Sequence, residues 1–222
     1  MHLPTDQFYK QHPYVGPIFW ITSLQFFVVQ MVVARGWTTG YSIVNNTISD
    51  LGITACGAYA SRYVCSPWYS WMNASFVFLG FSMLLGSLLL YHQFAHNFGT
   101  KIGFTLMGIA GFGTVLVGLF PANTAPTMHG IGAFLPFFFG NLGLIFFGLY
   151  LSLKPTFRFF TLLSGVFSLV AFLLFAFDIY LGLGVGGMER LVAHPQTFWM
   201  IIFGFYVSGR LLQNKNPLPT SR

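Results

Sequence analysis

Six apolar stretches divide the chain, and this pattern constrains the fold more than any other feature of the sequence. Each stretch has about twenty residues, the length that an α-helix needs to cross ~30 Å of hydrocarbon. They run from about Pro17 to Ala34, Trp68 to Tyr91, Lys101 to Phe120, His129 to Leu153, Phe157 to Leu181 and Val192 to Leu212. The sequence therefore predicts an all-α fold, a polytopic membrane bundle of six transmembrane helices.

The scarcity of charge leads to the same conclusion. Only 6% of the residues are charged, whereas a soluble domain carries about 25%. A bilayer solvates an apolar exterior that water would not, so we expect a multi-pass protein of the cell membrane with lipids as its partners. The net charge of +6 reflects few acids. Because no two basic residues are adjacent, we expect no nucleic-acid partner.

The basic residues also predict an orientation, since cytoplasmic loops carry an excess of Lys and Arg. With six spans, one side of the membrane holds seven basic residues and the other holds three. The seven are Lys10, Lys101, Lys154, Arg158, Arg210, Lys215 and Arg222, and the three are Arg35, Arg62 and Arg190. We therefore expect both termini to be cytoplasmic.

No fixed-period repeat and no linker divides the chain, so we expect one integral membrane domain over residues 1–222. The predicted outer loop, residues 36–67, is long for such a bundle, and its apolar and polar residues are interleaved. The loop therefore either lies in the membrane surface or re-enters the bundle as a short helix, with Asn45 or Asn46 as its N-cap.

Both cysteines of the chain, Cys56 and Cys65, lie in this outer loop. Extracytoplasmic compartments are commonly oxidising, so the pair predicts a disulfide. A zinc site is less favoured, because the spacing is longer than the short Cys-x-x-Cys pattern. Two inert thiols are the remaining alternative.

The acids are concentrated on the predicted outer side of the membrane. Ionisable groups at membrane depth are costly and tend to mark functional sites. Because the loops that carry them must converge in a compact bundle, we expect one extracytoplasmic pocket. The residues that we expect to meet there are Asn46, Ser49, Asp50, His129, Glu189 and Arg190.

Each of these residues also has a structural explanation. Asp50 and Arg190 suit an ion pair that ties the outer loop to the sixth span. Asn46 and Ser49 suit helix caps, and His129 suits a hydrogen bond to a loop carbonyl. The structural alternative stays open for each residue alone, and it is weaker for the six together.

The same residues carry a resemblance that covers nearly the whole chain. The matching segments are Tyr41-Ser42, Asn46, Ile48 to Gly52, Cys56, Cys65 to Pro67, Asn73, Val117 to Pro121, His129 to Ala133, Gly140-Asn141, Gly187 to Arg190, Pro195 and Trp199. They resemble an uncharacterised family of prokaryotic six-span membrane proteins, a domain of unknown function. The resemblance implies the same fold, a prokaryotic inner or plasma membrane, and the six clustered residues as a signature, but no activity. Members often carry Tyr where this chain has His194, so we do not assign His194 to the site.

A second resemblance is local. Asn46-Thr47-Ile48-Ser49-Asp50 is similar to the Asn-Thr-x-Ser stretch of alkaline ceramidases and related membrane hydrolases, which use a Ser, an Asp and a three-histidine zinc site. Only His129 and His194 lie on the predicted outer side of this chain. A zinc ion would then need a carboxylate such as Asp50 or Glu189. The cofactor is therefore left open, and zinc is not favoured.

An enzyme of this kind would use Ser49 as the nucleophile and His129 as its base, with an acid that orients the imidazole. Side chains of adjacent residues on a helical turn diverge by about 100°. Asp50 is therefore a poor partner for a base that serves Ser49, and Glu189 is the better one. The predicted catalytic residues are Ser49, His129 and Glu189.

Asn46, Asp50 and Arg190 are predicted to bind the ligand, because an arginine holds a phosphate or carboxylate bidentately. The implied substrate is a lipid or lipid-like amphiphile at the outer leaflet, and the reaction a hydrolysis or group transfer. A membrane transporter or binding protein for a small lipophilic or anionic molecule is the alternative. In that case Asn73 and Asn141, inside two spans, would line a polar path.

Overall fold

The structure is a computed structural model that describes residues 11–215. Its helices, numbered here in chain order, are α1 (Val15–Thr22), α2 (Leu24–Arg35), α3 (Tyr69–Phe94), α4 (Phe98–Leu119), α5 (Pro126–Phe134), α6 (Asn141–Tyr150), α7 (Pro155–Ala176) and α8 (Gly184–Lys215). The helices α1 and α2 together form the first predicted span, and α5 and α6 form the fourth.

The all-α membrane fold is confirmed. Five helical segments are long and apolar enough to cross a membrane: Val15–Arg35, Tyr69–Phe94, Phe98–Leu119, Pro126–Tyr150 and Pro155–Ala176. The helix of the sixth predicted span, α8, is the longest at 32 residues and is not one of these five segments. Its first turns carry Glu189 and Arg190, so its apolar part begins later. Lys10 and Arg222, used in the orientation argument, lie outside the described residues, and the orientation stays a prediction.

Aromatic side chains fill the centre of the bundle. Trp20 of α1 is fully buried and its ring lies 5.4 Å from that of Phe203 and 5.7 Å from that of Trp199, both on α8. Phe147 of α6 stacks on Trp199 at 5.1 Å. Since lipid gives little hydrophobic drive for helix association, such close packing holds the helices together.

Glycines allow α3 and α4 to approach closely. A Cβ at Gly111 would lie 2.8 Å from the carbonyl oxygen of Gly80, and one at Gly118 would lie 2.5 Å from that of Asn73. Real Cβ atoms do not approach backbone so closely, so small residues at these positions permit the contact. We therefore assign these glycines to packing.

The fourth span is interrupted by a π-helical turn, Leu135–Gly140, between α5 and α6. Pro136 lies within this turn, and proline removes a backbone donor from a helix. The Asn141 side chain donates to the carbonyls of Phe137, at 2.8 Å, and Val192, at 3.1 Å. Asn141 therefore supports the backbone here, and these two bonds connect the turn to α8.

The outer loop forms a short 3₁₀ turn, Ser49–Gly52, followed by a hairpin. Strands β1 (Gly57–Tyr59) and β2 (Arg62–Val64) are antiparallel, with Gly57 opposite Val64. The two-residue turn, Ala60 and Ser61, has positive φ at both positions, as hairpin turns that match strand twist require. The disulfide joins Cys56 to Cys65, directly beside the last strand pair, which confirms the predicted bond.

Candidate active site

The 3₁₀ turn that carries Ser49 is fixed to the helices by apolar burial and by hydrogen bonds. Leu51 is almost fully buried. The Ser66 hydroxyl donates to its carbonyl at 2.7 Å, and the Asn73 amide of α3 donates to the carbonyl of Gly52 at 2.9 Å. The irregular backbone of the turn is thus satisfied by protein groups. Asn73, a candidate for a polar path, is used to support the turn.

Ser49 and His129 are in direct contact. His129 Nε2 lies 3.0 Å from Ser49 Oγ, and His129 Nδ1 lies 2.9 Å from the carbonyl oxygen of Phe120. A carbonyl only accepts, so Nδ1 carries a proton, and when the imidazole is neutral Nε2 presents its lone pair to the hydroxyl. This is the arrangement of a nucleophile and its general base.

Glu189 contacts the other side of Ser49. Its Oε1 lies 3.2 Å from Ser49 Oγ, while its Oε2 accepts the backbone N–H of Ile48. The carboxyl group is buried, with 4% of the residue exposed. The expected pairing of Glu189 with His129 is therefore wrong, because the Phe120 carbonyl takes the place beside Nδ1.

Asp50 is paired with Arg62 of β2. The guanidinium donates from Nε to Oδ2 at 2.6 Å and from Nη2 to Oδ1 at 2.7 Å. Burial lowers the pKa of Arg62, but the hydrogen bonds and charge of Asp50 outweigh this effect and raise it above its usual value. The expected Asp50–Arg190 ion pair is wrong, because the disulfide-closed hairpin brings Arg62 to the carboxylate first.

Arg190 instead holds the backbone of the outer loop. Its Nη1 donates to the carbonyls of Asn46, at 2.9 Å, and Ile43, at 3.1 Å, and its Nη2 donates to the Tyr41 hydroxyl. That hydroxyl donates in turn to the carbonyl of Thr47 at 2.8 Å. Burial raises the pKa of the Tyr41 phenol and Arg190 offsets only part of this, so the hydroxyl keeps its proton.

Asn46 is also used within the loop. Its Oδ1 accepts the backbone N–H of Ser42 at 3.0 Å and its Nδ2 donates to Asp50 Oδ2 at 3.3 Å. The 3₁₀ turn has no side-chain cap, so the expectation that Asn45 or Asn46 caps a helix is wrong.

Two cavities meet at Ser49. The outer cavity, about 490 Å³, is lined by Ser49, Glu189 and His129 together with Arg62 and Asp50. The inner cavity, about 50 Å³, continues from Ser49 and Glu189 into the bundle between mostly apolar side chains. Phe137, on the π-helical turn, borders both cavities. The arrangement places the hydroxyl at a boundary between polar and apolar space.

The protein-family comparison matches residues 20–206 to a family described as a protein of unknown function, DUF998. The chain belongs to this family. No curated protein matches the chain, and no solved structure does. The family assignment agrees with a multi-pass membrane protein and leaves the activity to be argued from the site.

The structure thus divides the six residues expected in one pocket. Ser49, His129 and Glu189 form one network, and Asp50 and Asn46 form a second beside it. Arg190 borders a different groove, on the far side of the loop. Within residues 11–215, no group of three or more His, Cys, Asp or Glu side chains is arranged to hold a metal ion.

Three participants were missed by the sequence analysis: Arg62, Tyr41 and the Phe120 carbonyl. Arg62 is the sole arginine between the two cysteines. Because the predicted disulfide closes this loop close to Asp50 in the sequence, the loop was a signal that Arg62 pairs with Asp50. Tyr41 lies in one of the segments that carry the resemblance, but the resemblance gives it no role. A backbone carbonyl has no sequence signal at all.

Proposed function

We propose that the chain is a membrane-embedded hydrolase or transferase that uses Ser49 as its nucleophile and acts on a lipid or lipid-like amphiphile. The observation that carries this proposal is the 3.0 Å contact between Ser49 Oγ and His129 Nε2, with the imidazole oriented by the Phe120 carbonyl. Ser49 is partly exposed at the cavity, so a substrate is able to reach its hydroxyl.

The chemistry that these groups support is acyl transfer. Ser49 Oγ attacks an ester carbonyl while its proton passes to His129 Nε2, and the imidazolium then protonates the leaving alcohol. Water, or a second alcohol, is deprotonated by the same nitrogen and attacks the acyl-serine. The bond between the acyl carbon and Ser49 Oγ then breaks, and the imidazolium returns the proton to Ser49 Oγ. The first acceptor gives a hydrolase and the second a transferase.

Glu189 supplies a second proton-accepting position at the nucleophile. A serine hydroxyl has one hydrogen, which is unable to serve His129 Nε2 and Glu189 Oε1 at the same time. Both contacts are hydrogen bonds only when Glu189 or His129 carries an additional proton. Glu189 therefore competes with His129 for the hydroxyl hydrogen, and in its neutral form it donates to Ser49 Oγ.

The two cavities support an amphiphilic substrate. The outer cavity has the Arg62–Asp50 pair and His129 in its wall, whereas the inner cavity is mostly apolar. A polar head group in the outer cavity, with only the first carbons of an apolar chain in the inner cavity of about 50 Å³, would place their junction at Ser49. We infer from the seven-to-three distribution of basic residues that this end of the bundle faces the extracytoplasmic side, at the outer leaflet.

The test is covalent labelling by alkyl fluorophosphonates. Attack by Ser49 Oγ on phosphorus forms a P–O bond and releases fluoride. Purified full-length chain in detergent should be labelled on Ser49, and the rate should fall by roughly 10²-fold or more in His129→Gln. Ser70→Ala, which removes an exposed serine of α3, is the matched control and should be labelled like the original chain.

A second reagent of the same class tests on which side of the membrane Ser49 lies. A membrane-impermeant, charged fluorophosphonate should label Ser49 in intact cells that express the chain. Labelling in open membranes but not in intact cells would place the site on the cytoplasmic side. No labelling under any condition, with Ser49→Ala and the original chain indistinguishable, would contradict the nucleophile.

One observation favours the alternative function, binding or transport without catalysis. The inner cavity passes Thr114 and reaches Gln196 and Thr197, so polar side chains lie along its wall inside the bundle. In that case Ser49→Ala should leave ligand binding nearly unchanged. Thr197→Val, which keeps the shape of the side chain and removes its hydroxyl, should weaken binding instead.

A further inference from the structure

A groove of about 610 Å³ separates α2 from α8 on the side of the outer loop away from Ser49. We call it the lateral groove. Phe27 and Met31 of α2 and Phe198 of α8 form its apolar wall. Met31 is 55% exposed and Phe198 is 48% exposed. Since both helices belong to the membrane-embedded bundle, these side chains face lipid, and the groove opens to the bilayer.

A polar pair lies within this apolar wall. Gln30 is 8% exposed, and its Oε1 accepts a hydrogen bond from His194 Nε2 at 3.3 Å. Its Nε2 is buried and has no hydrogen-bond partner among residues 11–215. An amide donor in an apolar environment is costly when it lacks an acceptor. Because this nitrogen is enclosed, an occupant of the groove reaches the unsatisfied donor only when the Gln30 side chain turns toward the groove.

An unpaired cation stands at the outer end of the same groove. Arg35, the last residue of α2, is exposed and has no hydrogen bond or ion pair with any residue in the described part of the chain. It lies five residues after Gln30, which corresponds to about 7.5 Å along the helix axis. Arg190 also borders the groove, but its guanidinium nitrogens already hold the carbonyls of the outer loop.

We propose that the lateral groove binds one anionic glycerophospholipid. The phosphate pairs with Arg35, the Gln30 side chain turns so that its Nε2 donates to an ester carbonyl, and the acyl chain lies along Phe27 and Phe198. A glycerophospholipid carries its ester carbonyls just below its phosphate. This order matches the groove, where Arg35 lies at the mouth and the Gln30 donor lies about 7.5 Å deeper along the helix axis. This site is separate from Ser49 and does not depend on its activity.

The groove favours a lipid over a second copy of the chain or a soluble phosphate. A helix of a second copy would bring apolar side chains to Gln30 and leave its donor unsatisfied. A soluble phosphate would satisfy Arg35 alone and leave the apolar wall empty. A lipid of this class satisfies the cation, the amide and the apolar wall together.

The test is native mass spectrometry of the full-length chain with three added lipids of matched chain length. These are phosphatidylglycerol, its ether-linked analogue without ester carbonyls, and phosphatidylcholine. We expect phosphatidylglycerol to bind about fivefold more tightly than phosphatidylcholine, and about two- to tenfold more tightly than the ether analogue. The ester–ether comparison needs no variant, so it does not depend on a variant that folds.

Two variants separate the contacts. Arg35→Gln should lower phosphatidylglycerol affinity about fivefold and keep the ester–ether ratio, whereas Gln30→Leu should bring that ratio to one. Lys101→Gln, which removes an exposed cation at the opposite end of the bundle, is the control and should change neither value.

Three results would overturn the proposal. The first is equal binding of the three lipids, which indicates ordinary annular lipid. The second is displacement of phosphatidylglycerol by glycerol 3-phosphate, which indicates a site for soluble phosphate. The third is a dimer in lipid-free samples that Phe198→Ala dissociates, which assigns the groove to a second copy.

Discussion

The Asp50–Arg62 pair gives the sharpest prediction about how the candidate site is held. Asp50 is fully buried, whereas the Arg62 side chain is 20% exposed. The carboxylate also accepts the backbone N–H of Thr47 at 3.0 Å. Removing Arg62 therefore leaves the buried carboxylate of Asp50 without its cation. Neutralising Asp50 instead leaves an arginine whose side chain is able to turn toward water.

This difference in burial predicts unequal costs. Arg62→Ala should lower the free energy of unfolding by about 3–5 kcal/mol, the range for breaking a buried ion pair on one side. Asp50→Asn keeps an acceptor for Thr47 and loses charge-assisted bonds to Arg62, so about 1.5–3 kcal/mol is expected. The double variant should cost less than the sum of the two, with a coupling of at least about 1.5 kcal/mol.

The assay is reversible unfolding of the purified chain in mixed micelles, followed by circular dichroism, for the four members of the cycle. Lys101→Gln serves as a control for the loss of one exposed positive charge and should change stability by less than about 0.5 kcal/mol. Additive effects, or an Arg62→Ala cost as small as that of the control, would refute the argument that the pair is buried and coupled.

Two further predictions concern the outer loop. Replacing both Cys56 and Cys65 by serine should lower the free energy of unfolding by roughly 2–3 kcal/mol, and maleimide should modify neither cysteine in the unreduced, denatured original chain. Gly186→Ala places a Cβ against the carbonyl oxygen of Asn46, so it should cost about 1–3 kcal/mol and slow fluorophosphonate labelling. Gly130→Ala, where a Cβ meets nothing within 4 Å, should change neither the free energy of unfolding nor the rate of labelling. Equal effects of Gly186→Ala and Gly130→Ala would contradict the close approach of α8 to the loop.

The helices were predictable from the sequence because a bilayer makes length and apolarity nearly sufficient signals. The departures have local causes. The first span breaks at Ser23 between α1 and α2, and the fourth contains a π-helical turn beside Pro136. The last helix begins at Gly184, eight residues before the predicted start at Val192. Its first turns contain glycines and a charged pair, which interrupt the apolar pattern from which a span is predicted, and these turns pack against the loop.

The candidate site was predictable at the level of which loops converge, but not of which groups pair. The meeting of Ser49 with His129 followed from topology, since both precede spans at the same end of the bundle. The partner of Asp50 depends on a hairpin whose turn uses Ala60 and Ser61 at positive φ. Neither residue type signals that conformation, so the position of Arg62 was not predictable from the sequence.

The hydrogen bonds of the loop separate residues that support the fold from residues suited to chemistry. Arg190 and Asn73 donate to backbone carbonyls, and the carboxylate of Asp50 accepts a backbone N–H in addition to its bonds from Arg62. These contacts satisfy the backbone of an irregular segment that lacks helical hydrogen bonds. Ser49 is different, because its hydroxyl lies between two groups that compete for one hydrogen. Folding alone does not require such competition, since a single partner satisfies a hydroxyl. A nucleophile requires a hydroxyl at the wall of a cavity with a general base in contact with it. Ser49 and His129 meet both conditions, and this is why Ser49 is the residue to label first.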